Sequence, residues 1–444
     1  MKIPRCFRLA IPAFSLTMLL CGGAPAQDNI YEGAPHNYFK APLDDPATQL
    51  LNDLKAKKKV LDRSSDKASI KSMLKLLNVP EASQVLVFSK TSFQRDKISP
   101  WNGRGVYFNE DNYVGWVPGG LIELVSMDSK LGPIFYGVDQ NWKEDLPIFD
   151  RSEDCLSCHG GGMTNNLPGI MVRSVYTDAK GFPLLQAGTT LVDHSTPIKD
   201  RWGGWFVTGL HGADRHMGNV LAEEKGGEVA LDREKGANLK SIDDLLPQDR
   251  YPARGSDIVA LMVLEHQIMA HTKLTEASYH VRSAIARMQA LQKDFGEPVT
   301  DVLSGSALSV AQSHADKVLK CLLFVEEAPL PEGGIEGDAP FQEAFRENRR
   351  KTAEGKSLKD FQLLTRIFKY RCSYMIYSRS FDGLPAQLKE LVYRRLFDIL
   401  TGEKPVQGYE HLAASEKRDI FDILRETKPE LPDYWRAGVK TAGR

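Results

Sequence analysis

The hydrophobic period of this 444-residue chain changes near residue 255, so no single secondary-structure class accommodates both parts. Between residues 84 and 210 the apolar runs are short: "QVLVFSK", "GVYFN", "YVGWV", "LIELVSM" and "PIFYGV". Turn-forming "NEDN", "PGG" and "DSKLG" separate them. Such runs predict strands, because branched and aromatic side chains pack well on a pleated surface while Gly, Asn, Asp and Pro supply turn backbone. "IMVRSVYTDAKGFPLLQAG" predicts a further hairpin turning at "DAKG". From residue 256 the apolar positions recur at helical spacing. "SDIVALMVLEHQIMAHTKLTEASYHVRSAIARMQAL" opens on a Ser-Asp start, and four more helical segments follow, among them "SLKDFQLLTRIFKYRCSYMIYS". The expected fold class is α+β: a β-rich region over 84–255, ending in a polar connecting loop, then a helical region over 256–444. Residues 27–83 read as an N-terminal helical extension, with Pro46 in a first turn and Leu50, Leu51 and Leu54 on one face.

The chain opens with "MKIPRCFR", a short apolar run, and "GGAPAQ". That order is the pattern of a secretory leader over 1–26, with cleavage expected after Ala26 and a periplasmic or secreted product. Cys21 raises a lipid-anchored alternative, against which Leu20 is bulky where a small residue is usual. No later run reaches the ~18 apolar residues of a spanning helix, so no transmembrane segment is expected in the mature chain. The 57 basic residues less three in the leader leave 54 against 58 acids, which gives no reason to expect nucleic-acid binding.

Location matters because cysteine chemistry follows compartment. Cys155, Cys158, Cys321 and Cys372 remain after cleavage. For the last two, a disulfide and a pair of buried thiols are both open readings. The first two lie in "RSEDCLSCHGGG", a single C-x-x-C-H. This spacing supplies what one covalent haem c needs: Cys155 and Cys158 to add to the vinyl groups, and His159 as proximal iron ligand. A zinc site would need a second ligand pair, and a redox dithiol a βαβ setting; neither is visible in the sequence.

Through "CLSCH" behind a secretory leader the chain resembles the c-type cytochromes. In small members a Pro-Gly or Gly-Pro pair follows the motif and a later methionine caps the iron. Pro168 in "LPG" and Met217 in "HMGN" stand at suitable distances here. Blocks such as "RWGGWFVTGLHG" resemble large single-haem secreted proteins of no established activity. The resemblance implies an electron carrier that meets a redox partner protein.

The stretch Asp193 to Asn219 gathers His194, His211, His216 and Met217 with Trp202, Trp205 and several glycines. Glycine permits close approach to a flat cofactor and tryptophan can cover it. Met217 and His216 are the candidate distal iron ligands, with His211 and His266 weaker. His266 lies on the long helical run, on one face with Met262 and Met269. Arg95, Arg104 and Arg173 are candidate partners for haem propionates. The expected function is single-electron transfer by a periplasmic c-type cytochrome. A haem enzyme or sensor with an open sixth position is one alternative, and a docking module with a haem as electron entry point is another.

Overall fold

The computed structural model describes residues 29–140, 149–151, 153–402 and 406–436; the expected leader lies outside the described residues. The early helices are α1 (Pro46–Lys55), α2 (Asp66–Leu76), α3 (Leu156–His159) and α4 (Arg233–Gly236). The later ones are α5 (Ile258–Asp294), α6 (Gly305–Leu322), α7 (Ala339–Glu347), α8 (Arg379–Asp382), α9 (Ala386–Thr401) and α10 (Ala414–Thr427). The strands are β1 (Val85–Val87), β2 (Arg104–Phe108), β3 (Asn112–Trp116), β4 (Ile122–Asp128), β5 (Gly132–Val138) and β6 (Phe149–Asp150). Two small hairpins, β7 (Arg173–Val175) with β8 (Thr189–Leu191) and β9 (Glu223–Lys225) with β10 (Glu228–Ala230), complete them. The α+β class holds, with the six-stranded sheet before residue 151 and the long helices after residue 257.

Strands β1 to β6 form an antiparallel meander in chain order, with short turns between β2 and β3, β3 and β4, and β4 and β5. The register divides the side chains between two faces. Tyr107, Val114, Leu124 and Tyr136 stand in one cross-strand row and join the core made with Leu50, Leu54, Ile70 and Leu74 of α1 and α2. Phe108, Tyr113 and Met127 point the other way, into the core around α5. Both faces of the sheet are therefore covered, where an antiparallel sheet commonly leaves one to water.

Helix α5 is the axis of the second core. Asp257 caps it, its carboxylate accepting from Ala260 N–H at 2.8 Å. Nearly every residue from Ile258 to Val281 is buried, which is the pattern of a helix surrounded on all sides. Helix α6 packs along α5, α9 on α6, and α10 on α9.

One expected helix is absent. The segment 357–378 is irregular, with a 3-10 turn over Tyr374–Tyr377 and an isolated bridge between Phe361 and Phe368. Gln362 Oε1 accepts from the N–H groups of Leu364, Thr365 and Arg366 at 3.0, 2.8 and 3.1 Å, and Leu363 is left-handed at φ 57°. A side chain that takes three successive backbone donors competes with the helix for them. Cys321 and Cys372 are buried free thiols, with burial pushing each up to about 12. The loop between α3 and β7 leads to the hairpin expected around "DAKG", where Gly181 N–H closes the turn on Asp178 O at 3.0 Å.

Candidate functional site

The C-x-x-C-H turn sits between β6 and β7, on α3 and the 3-10 turn before it. Cys158 is exposed and Cys155 half-buried. Leu156, between them, is 8 % exposed and anchors the turn in the core beneath α1 and α2. His159 faces inward, its ring tilted on Phe135 of β5 with centroids 4.9 Å apart.

One hydrogen bond sets the chemistry of this histidine. His159 Nδ1 lies 2.9 Å from the carbonyl oxygen of Gly169, and Gly169 N–H returns a bond to His159 O at 2.8 Å. A carbonyl only accepts, so Nδ1 carries the proton and Nε2 presents its lone pair. Burial lowers the pKa of His159, and the Arg104 charge adds to this against the Gly169 bond and Glu123. The Gly169 bond fixes the orientation of the ring.

Two glycines lie in the sheet beside it. Gly115, Glu123 and Gly137 stand in one cross-strand row on the same face as Phe135. A Cβ on Gly137 would meet nothing within 4 Å. On Gly115 it would strike the Arg104 guanidinium, which lies over that glycine and pairs with Glu123. Arg104 Nε and Glu123 Oε1 are buried without hydrogen-bond partners among the described residues. An oriented imidazole nitrogen, two thiols on one turn and an Arg104–Glu123 pair with one unpartnered buried atom on each side chain thus lie at one end of the sheet.

The other sequence candidates occupy separate surroundings. Met217 is buried, its Sδ accepting from Ser174 Oγ at 3.6 Å. His216 Nδ1 accepts from Gly218 N–H at 2.9 Å, so its proton is on Nε2; burial first, then the His211 and arginine charges, hold it down to about 3. His211 Nε2 accepts from Asn238 N–H at 3.0 Å, and its ring lies 4.6 Å from that of His216. His266 has both nitrogens engaged, Nδ1 with His194 Nδ1 at 2.8 Å and Nε2 with Ser373 Oγ at 2.6 Å. No hydrogen bond or ring contact joins any of these four to His159 among the described residues.

The glycines and tryptophans of 193–219 do a different job from the one expected of them. Gly203 lets the backbone press against Val175 O, and Gly204 against Ser89, so the close approach is chain to chain. Trp202 is fully buried and donates to Glu265 Oε1 at 2.6 Å, while Arg201 Nη1 reaches Glu265 Oε2 at 2.5 Å. Sequence reasoning left this buried triad and the His194–His266 pair unrecognised. The run "DRW" carries no spacing rule, and Glu265 looks like any helical carboxylate until its neighbours are known.

Searches against known protein families, curated proteins and solved structures return no match to this chain.

Proposed function

We propose that this chain is a c-type cytochrome, holding one haem through Cys155, Cys158 and His159 and exchanging single electrons with a redox partner protein outside the cytoplasm. The observation that carries the reading is the His159 Nδ1–Gly169 O bond, which leaves Nε2 as the one ligating nitrogen of a C-x-x-C-H turn. The residues present suit the group. Two thiols flank a fixed imidazole, Gly137 leaves space on the sheet, and Arg104 has an unsatisfied buried donor of the kind a propionate accepts from. Bound haem c would supply a ferrous–ferric couple. The chain's own part is to tether through Cys155 and Cys158, to hold the proximal nitrogen against Phe135, and to set the surrounding charge with Arg104 and Glu123. Of the distal candidates, Met217 has less to give up, because its sulfur accepts only a long hydroxyl contact whereas His216 carries its proton on Nε2.

The test is expression with a cytochrome c maturation system. Haem that stays with the chain on a denaturing gel and is lost in Cys155→Ala/Cys158→Ala supports the reading. A wild-type chain without covalent haem, or a double variant that keeps it, overturns it. A second reading, a haem enzyme or sensor with an open sixth position, is favoured by His216, His211 and His266 all holding hydrogen bonds of their own. Iron in the wild-type holoprotein that binds carbon monoxide would select that reading over the pure carrier.

A further inference from the structure

Two histidines that form no pattern in the sequence meet across the α5–α6 contact. His280 and Glu276 are one helical turn apart on α5, and His314 comes from α6. Each offers one ligand atom, and these atoms lie within 4.8 Å of one another. The two imidazoles are stacked, with centroids 4.9 Å apart and planes at 16°.

Two features distinguish this cluster from an ordinary ion-pair network. His314 is 8 % exposed, and its Nδ1 is buried with no hydrogen-bond partner among the described residues. An unpartnered polar atom in that position is costly unless something else satisfies it. Two imidazoles and a carboxylate are a ligand set of borderline softness, the kind that takes zinc and its divalent neighbours rather than calcium or magnesium.

We infer that Glu276, His280 and His314 form a binding site for a divalent transition-metal ion, with Zn2+ the fitting probe. In the structure Glu276 is held instead by Lys317 at 3.1 Å and Lys273 at 3.8 Å. Both lysines are partly exposed, so each can turn out to water when the ion takes the carboxylate. Asn165 Nδ2 lies 3.5 Å from Glu276 Oε2, and an amide turned over would offer its oxygen as a fourth ligand. Asn165 belongs to the loop just behind C-x-x-C-H, so an ion here would tie that loop to the α5–α6 pair. The site does not depend on the haem reading, because none of its ligands belongs to the motif.

The experiment is calorimetric titration of Zn2+ into the purified full chain, repeated in the Cys155→Ala/Cys158→Ala background so that binding at the motif thiols is separated. One ion per chain is expected in both. Glu276→Gln, His280→Ala and His314→Ala should each weaken binding by roughly tenfold or more. Lys317→Ala should tighten it by about fivefold, because a competing cation beside the carboxylate is gone. A histidine pair with only a packing role would not produce that gain. Should His314→Ala fold poorly, the less buried His280 carries the same test. Absence of saturable binding in the cysteine-free background, or binding that neither His280→Ala alone weakens nor Lys317→Ala alone tightens, overturns the site.

Discussion

Glu265→Gln isolates a fully buried charge interaction in the first third of α5. Arg201 and Glu265 are 1 % and 0 % exposed, so neither charge has water to fall back on. Arg201 Nε also donates to Thr196 O at 2.7 Å and Nη2 to His194 O at 3.2 Å, but those carbonyls carry no net charge. Removing one partner of a buried pair costs about 3–5 kcal/mol because the other is left uncompensated. Asp193 lies close enough to act electrostatically on Glu265, and Glu327 feels the charge of Arg201. They soften the loss, so the expected cost is at the lower end, about 3 kcal/mol. Against a typical total of about 5–15 kcal/mol that is a large fraction. Urea unfolding of the wild type and variant, followed by far-UV circular dichroism, gives the difference. Arg201→Met/Glu265→Leu, which removes both charges, should recover at least half of the loss. A Glu265→Gln cost within about 1 kcal/mol, the scale of an exposed pair, would refute the view that the pair is desolvated and mutually dependent.

His271 is fully buried against Tyr113 Oη at 2.7 Å, and burial holds it down to about 3. Its folded pKa lies below its unfolded one, so the unfolded chain takes up the extra proton. Its contribution is intact above about pH 6.5 and is lost as pH falls toward 3, at about 1.4 kcal/mol per pH unit. His271→Gln should remove that component of the slope, checked by urea unfolding at pH 7, 6 and 5. Gly115→Ala should drive the Arg104 guanidinium off Glu123 at a cost of about 1–3 kcal/mol, read as a lower melting temperature. If the chain holds haem as proposed, Met217→Ala should change the iron spectrum while His216→Ala leaves it unchanged; the reverse pattern would exchange their roles.

Much of the fold is legible before any coordinates. All five strand-like runs between residues 84 and 138 form strands of the meander, because branched and aromatic runs bounded by turn residues act over a few neighbours. The start of α5 is equally local, an Asp cap before an apolar run. The segment 357–378 shows the limit, since Gln362 diverts three backbone donors that helical periodicity would have used.

For the site, the sequence alone determined the C-x-x-C-H spacing: two thiols and an imidazole within five residues stay together in any fold that forms the turn. Only the tertiary structure decided that His159 presents Nε2, because the acceptor for Nδ1 is a carbonyl ten residues away whose position depends on the whole loop. It likewise decided that Glu265 is buried against Arg201 and that His280 meets His314. Those pairs lie 64 and 34 residues apart, and their contact depends on how helices and loops pack rather than on any spacing along the chain.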